Sequence, residues 1–215
     1  MISKLRNRVE GIAGAFAKPL VFLGLSPTAV SLLAIPMVLV YAFFVWQHDF
    51  LIAFIFGSIA AFVDVLDGKV ARQNKKYSSF GNYADAMIDR VVDFILIGSF
   101  VVWFPFASVL ALGCFFLVSV AKPRAGLVII TDNRDWPGIG ERGDKIIILL
   151  AGMLASVIYP FAYGIQTMEA VLYLVAIISF IGFLQRIAYA KKLIEDAEKK
   201  GGLLPYLRDG KGGKR

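Results

Sequence analysis

The chain has 215 residues, 58% of them hydrophobic, and 23 Lys and Arg against 16 Asp and Glu. Soluble globular chains are about 45–50% apolar, so this composition, with a mean hydropathy of +0.71, excludes that class and indicates an integral membrane protein. The net charge of +7 points to anionic partners, either lipid headgroups or phosphate-bearing substrates, and the single Cys114 excludes an internal disulfide or a cysteine metal finger.

At the N-terminus, Ile2, Leu5, Val9, Ile12, Ala13 and Phe16 recur at helical spacing, while Lys4, Arg6, Arg8 and Glu10 take the other face. This predicts an interfacial amphipathic helix over 1–20 lying on the membrane, with a solvated arm packed on the bundle as the alternative. No apolar core followed by a small-residue cleavage site is present there, so no cleavable leader is expected. Six apolar stretches follow, near 27–47, 50–72, 82–104, 106–131, 143–164 and 167–192. Each approaches the roughly 20 residues a spanning helix needs. Ser26 and Pro27 suit a helix cap and first turn, and Gln47-His48-Asp49 a tight polar turn. Trp103, Pro105 and the run from Tyr159 to Gly164 mark interfacial connections. No strand is predicted. Cys114 falls in a Leu/Phe run and is expected to face lipid or pack. The segment 21–195 is therefore read as one all-α, six-helix transmembrane domain, and 196–215 as a polar, Gly/Lys-rich tail.

The 1–2, 3–4 and 5–6 connections carry no Lys or Arg. All 23 basic residues fall on the N-terminal segment, the other two loops, adjoining helix ends or the tail. The positive-inside rule then puts both termini and those two loops on the cytoplasmic side of the cell membrane.

Within this apolar frame lie Asp64, Asp67, Asp85 and Asp89. Ionisable residues in a membrane are expensive and point to function. Asp64 and Asp67 share a helix face at i, i+3, and Asp85 and Asp89 share one at i, i+4. With the two helices as antiparallel neighbours, four carboxylates would surround one small volume. Such hard oxygen ligands suit Mg²⁺, Mn²⁺ or Ca²⁺, held together with substrate phosphates. Gly68 and Ala71 leave room for a ligand close to the backbone, and Arg72 offers a planar fork for phosphate.

The full pattern is D-x2-D-G-x2-A-R-x8-G-x3-D-x3-D, from Asp64 to Asp89 through Gly81. It resembles the signature of the CDP-alcohol phosphotransferase family. Eight fixed positions, each matched by chance about one time in twenty, would rarely coincide. The resemblance implies displacement of CMP from a CDP-linked lipid by the hydroxyl of a second alcohol. It assigns Asp64, Asp67, Asp85 and Asp89 to Mg²⁺ or Mn²⁺, two ions being expected, and makes Asp89 the general base. It also assigns Gly68, Ala71, Arg72, Ser78 and Gly81, with Asp67, to the CDP-alcohol. The family's first span often opens Pro-Asn or Pro-Asp, whereas this chain reads Ser26-Pro27-Thr28-Ala29-Val30-Ser31; Thr28 and Ser31 are expected to hydrogen-bond the cytidine. A homodimer is implied too, with Gly98, Gly113 and Gly152 as sites of close helix packing, between copies or inside one.

A second group of charges bears on the acceptor: Lys122, Arg124, Arg142, Lys145 and Arg186, each in or beside an apolar run. They could pair with the aspartates or lipid phosphates, and Lys145 equally fits snorkelling to the interface. The stretches around them, and Asp89-Arg90-Val91, resemble the phosphatidylinositol-phosphate synthase branch. That resemblance implies a phosphorylated polyol acceptor, inositol 1-phosphate, with Lys122, Arg142 and Arg186 on its phosphate. Arg124 equally fits a supporting place behind the pocket, and Glu141 would orient Arg142. The donor would be CDP-diacylglycerol or CDP-archaeol. Alternatives are glycerol 3-phosphate as acceptor, a soluble CDP-inositol donor, or a divalent-cation transporter. The acids sit at one end of their helices and no polar path continues past Asp93, which counts against transport. Nothing indicates nucleic-acid binding.

Overall fold

The structure, a computed structural model, describes residues 11, 14–74, 78–129, 136, 138–162, 164–200 and 204. A short helix, α1, covers residues 14–22, with Ala17 buried and Phe16 edge-on to Phe62 at 5.8 Å. The residues expected to carry the rest of the interfacial helix, Ile2 through Glu10, Ile12 and Ala13, lie outside the described residues.

The first span is broken by proline. Pro36 lacks an N–H, and its ring crowds the carbonyl four residues back, that of Leu32. The chain forms α2 (Pro27–Leu32) and α3 (Ala34–Trp46) with Leu33 between them. Ser26 caps α2 by accepting from the Ala29 N–H at 3.2 Å. After α3 the chain reverses at Gln47-His48-Asp49. His48 holds a left-handed φ of 62°, flanked by the Phe50 and Trp103 rings at 4.5 and 4.6 Å. Asp49 then caps α4 (Phe50–Asn74) through the Ile52 N–H at 3.2 Å. Ser78 caps α5 (Ser79–Gly98) by accepting from the Gly81 N–H at 2.8 Å.

After a single 3-10 turn, Ser99–Val102, come α6 (Pro105–Ala125) and α7 (Arg142–Ile158). Both end earlier than the apolar runs suggest. Pro123 terminates α6 two residues on, where the sequence reading carried it to 131. Tyr159 precedes a proline and adopts φ −128°, stopping α7 short of the expected 164. A two-residue antiparallel ribbon follows, unforeseen from sequence: β1 (Phe161–Ala162) pairs with β2 (Ile165–Gln166). Its tip is Gly164, at φ +87°. The last helix, α8 (Thr167–Lys199), has 33 residues, roughly 50 Å at about 1.5 Å per residue. It exceeds the roughly 30 Å hydrocarbon layer, so its polar last turns lie beyond it. Leu204 returns to the exit of α6, donating its N–H to the Val128 carbonyl at 3.1 Å.

Among the described residues, four stretches are long and apolar enough to cross a membrane by length and composition: Pro27–Trp46, Phe50–Gln73, Pro105–Ala125 and Thr167–Lys199. The protein is an all-α membrane protein. Helix α5 misses that standard because Asp85, Asp89, Arg90 and Asp93 dilute it, and α7 because it has only 17 residues. The α6–α8 contact is the most extensive helix pair, followed by α3–α4. Tyr41 joins α3 to α5 in the core, its hydroxyl donating to the Leu96 carbonyl at 2.8 Å. Cys114 is packed inward.

The two acid-bearing helices touch each other only lightly. Helix α2 is wedged between them, and each touches α2 far more than it touches the other.

Gly152 marks the closest approach of α7 to α8, since a Cβ there would lie 2.5 Å from the Val171 side chain. Of the three glycines singled out for packing, Gly113 faces open space and Gly98 meets only Phe94 of its own helix. Gly152→Ala is therefore expected to destabilise the fold by about 1–3 kcal/mol through overpacking. A melting curve in detergent checks this; an unchanged midpoint would mean that α7 and α8 separate freely.

Candidate active site

Three helices bring the acids together. Asp64 and Asp67 project from α4, and Asp85, Asp89 and Asp93 from three successive turns of α5. Ser31 of the wedged α2 sits between two of them. Its Oγ lies 2.6 Å from Asp67 Oδ2, 3.2 Å from Asp85 Oδ1 and 3.1 Å from the Pro27 carbonyl. A hydroxyl has one proton to donate, so the remaining contacts set lone pairs against lone pairs. Ser31 is 2% exposed. The sequence reading gave this serine to cytidine; here its oxygen is engaged by the acid cluster.

The other acids are gathered by Arg142 from the first turn of α7. Its Nε donates to both Asp93 oxygens, at 2.9 and 3.0 Å. Its Nη1 donates to Asp64 Oδ1 at 2.7 Å and lies 3.4 Å from Asp89 Oδ1. Arg142 is positioned by a capping box at the start of α7, in which Glu141 and Asp144 satisfy each other's backbone N–H groups.

Three carboxylates, Asp64, Asp89 and Asp93, thus surround one guanidinium while Asp67 and Asp85 share Ser31, and a small cavity bounded by Ser31, Asp64, Asp67, Asp89 and Arg142 lies among them. Like charges this close repel by several kcal/mol at an effective dielectric near 20. The donor set is carboxylate and hydroxyl oxygen only, which suits a hard divalent cation. Among the described residues no three acids are already grouped as a closed metal shell, because Arg142 lies across Asp64, Asp89 and Asp93. The residues fit a divalent cation in composition and in unbalanced charge, with the guanidinium now supplying part of the neutralisation.

Beside this cluster, a cleft of about 350 Å³ opens between the start of α2, the end of α4 and the start of α5. Thr28, Asp67, Gly68, Ala71, Ser78, Gly81 and Asp85 line it, as does Asn82, which sequence reasoning missed. Asn82 follows a motif glycine directly, and that adjacency was the available signal. The two motif glycines serve different ends. A Cβ on Gly81 would lie 2.9 Å from the capping Ser78 Oγ, so its bareness is a packing need. A Cβ on Gly68 would meet nothing within 4 Å, so its bareness leaves room in the cleft. Arg72 is exposed and does not line the cleft.

A second cleft, of about 430 Å³, holds the cations. Lys122, Arg142, Lys145 and Arg186 converge there with Ser119 and with Arg90, which the sequence reading had used only as a branch marker. Lys145 is 3% exposed and its ammonium lies 4.4 Å from the centre of the Phe115 ring. It is packed inward rather than snorkelling. Arg186 donates from Nη1 to the Val118 carbonyl at 2.7 Å, while its buried Nε has no hydrogen-bond partner among the described residues. Arg124 is exposed and faces away from the cleft's lining. Arg142 borders both the acid cavity and this cleft, so the two share a wall.

Comparison with known proteins gives the family and the fold. The chain is 33% identical over 200 residues to the archaetidylinositol phosphate synthase of Pyrococcus horikoshii, covering 91% of this chain and 99% of that protein. It is 28% identical over 198 residues to the phosphatidylinositol phosphate synthase of Streptomyces avermitilis, covering 85% of this chain and 79% of that one. The fold matches the crystal structure of Mycobacterium tuberculosis phosphatidylinositol phosphate synthase (PgsA1) with CDP-DAG bound, at a TM-score of 0.70 and 23% identity, over 83% of this chain and 93% of that one. The same protein in complex with manganese and citrate matches at a TM-score of 0.69 and 24% identity, over 83% and 88%. A profile of the CDP-alcohol phosphatidyltransferase family matches residues 25–191, which contain both clefts and every acid of the cluster, and the chain belongs to that family of transferases.

Proposed function

We propose that this enzyme transfers a phosphatidyl-type group from a CDP-linked lipid to inositol 1-phosphate, releasing CMP. The observation that carries this reading is the shared wall: a cleft of five cations meets the acid cluster at Arg142. Membership of the family supplies the reaction type. Relatives named as archaetidylinositol and phosphatidylinositol phosphate synthases support the acceptor.

In this reading the CDP portion lies in the cleft bordered by Thr28, Gly68, Ala71, Gly81 and Asn82, where small side chains admit a nucleotide close to the backbone. Asp64, Asp67, Asp85 and Asp89 hold divalent cation, two Mg²⁺ or Mn²⁺ ions, whose charge neutralises the pyrophosphate oxygens and makes CMP a better leaving group. Lys122, Arg142 and Arg186, with Arg90, bind the acceptor's phosphate and bring its hydroxyl toward the acids. Asp89 accepts the hydroxyl proton. The acceptor oxygen bonds to the lipid-bearing phosphorus as the bond from that phosphorus to the oxygen of CMP breaks. Helices α5 and α7 also cross the membrane in this reading, making six spans, with both clefts at the cytoplasmic side where the basic residues gather.

The test is CMP release by the purified protein with Mg²⁺ and either CDP-diacylglycerol or CDP-archaeol, offering inositol 1-phosphate, glycerol 3-phosphate, inositol and serine in turn. Release with inositol 1-phosphate alone is expected. Release with glycerol 3-phosphate instead would overturn the acceptor and leave the reaction type standing. A preference between the donors would identify the lipid tails.

A further inference from the structure

We infer that Asp93 is a positioning residue, fixing the Arg142 guanidinium at the boundary between the acid cluster and the cation cleft so that one arginine serves both. The inference rests on the reading of those two sites proposed above.

Asp93 lies outside the four-aspartate signature, one helical turn beyond Asp89. Its side chain is fully buried, 0% exposed. A carboxylate so placed is tolerated only when paired and hydrogen-bonded. Both of its oxygens accept from the same donor, Arg142 Nε, at 2.9 and 3.0 Å. Lys145 borders the same small apolar cavity as Asp93, but its ammonium is turned over the Phe115 ring at 4.4 Å.

The guanidinium is therefore divided. Its Nε edge belongs to Asp93, and its terminal Nη1 faces Asp64 and Asp89. Those two acids are proposed cation ligands, whereas Asp93 does not border the acid cavity. When Asp64 and Asp89 engage a cation, Arg142 loses its hold on them and keeps Asp93. The anchor then leaves the terminal N–H groups, set in a rigid plane, for a phosphate in the cleft that Arg142 also lines. Without the anchor, Asp64 and Asp89 are the only acids left to Arg142, and it competes with the cation for them.

The experiment compares wild type, Asp93→Asn, Arg142→Gln and the double variant, by steady-state kinetics and by Mn²⁺ titration followed by electron paramagnetic resonance without turnover. Asparagine keeps the shape of Asp93 and removes its charge. Asp93→Asn is expected to raise the acceptor KM by about tenfold or more, with the donor KM within about twofold and kcat down less than about threefold. Mn²⁺ affinity should fall several-fold in Asp93→Asn and return in the double variant to that of Arg142→Gln. The double variant should be no worse in acceptor KM than Arg142→Gln alone.

Unchanged acceptor KM and unchanged Mn²⁺ affinity in Asp93→Asn would overturn the inference, as would additive losses in the double variant. Where Asp93→Asn fails to fold, the double variant lacks the unpaired buried charge, and its comparison with Arg142→Gln decides the matter alone. The Mn²⁺ titration needs no acceptor. A wild type that rejects inositol 1-phosphate therefore overturns the acceptor reading, while the titration still decides the role of Asp93.

Discussion

Replacing Asp89 with Asn is expected to lower kcat by about 10²–10⁴-fold, the range over which general bases act, while CDP-lipid binding survives. The residue stands at the junction of everything the reaction needs. It lies on α5 one turn from Asp85, which borders the nucleotide cleft, and next to Arg90, which borders the cation cleft. Its carboxylate lies 3.4 Å from the Arg142 Nη1 and is 28% exposed, so it is open to an incoming hydroxyl. Asparagine keeps the size and the carbonyl oxygen but accepts no proton at neutral pH. The cleft proposed for the donor, lined by Thr28, Gly68 and Gly81, is untouched by the change.

The measurement is single-turnover CMP formation beside equilibrium binding of the CDP-lipid. A variant that binds normally and reacts within about tenfold of wild type would remove Asp89 as the base. A variant that loses donor binding to the same degree as turnover would make Asp89 chiefly a cation ligand.

Local patterns were legible in the sequence; encounters across the chain were not. The carboxylate spacings on α4 and α5 follow from helix geometry alone, as do the small residues at Gly68, Ala71 and Gly81. The helix cap at Ser26 and the turn at His48 are equally local. The ends of α6 and α7 were misplaced because apolar composition continues past Pro123 and Pro160, and proline geometry outweighs hydrophobicity there. Neighbouring acid helices were expected because a short loop joins them. Helix α2 intervenes, since the break at Leu33 leaves a short helix small enough to wedge between α4 and α5.

The hidden parts of the site are those whose partners lie far apart in the chain. Ser31 meets Asp67 and Asp85 across 36 and 54 residues, and Arg142 meets Asp93 and Asp64 across 49 and 78. Asp93 stands before the run FILIGSF and looks like a stray charge at the edge of a span. Only its spacing of four from Asp89 hinted that it continues the acidic stripe. Arg72 and Arg124 show the opposite limit. Each has a neighbour in the chain that reaches a cleft, Ala71 and Pro123, and each itself faces outward, because adjacent positions on a helix point about 100° apart.

Arg186→Ala is expected to raise the acceptor KM by about 30- to 150-fold, with the donor KM unchanged; that corresponds to the roughly 2–3 kcal/mol of a charge-assisted hydrogen bond. The side chain is half committed. Nη1 is tied to the Val118 carbonyl, which fixes the guanidinium plane against α6, while the buried Nε–H has no hydrogen-bond partner among the described residues. A buried donor left unsatisfied is a standing penalty, and its position in a cleft with Arg90, Lys122 and Lys145 indicates an anion as the missing acceptor. Loss of the Val118 bond should not unfold the protein, because α6 and α8 form the most extensive helix contact in the fold. Arg186→Lys separates charge from geometry: it keeps the cation but loses the fork, and should recover only part of the affinity. Kinetics with both substrates varied, for wild type and both variants, make the check. If Arg186→Ala raised donor and acceptor KM equally, the arginine would belong to the site as a whole. If Arg186→Lys were indistinguishable from wild type, the tie to Val118 would be incidental and charge alone would hold the phosphate.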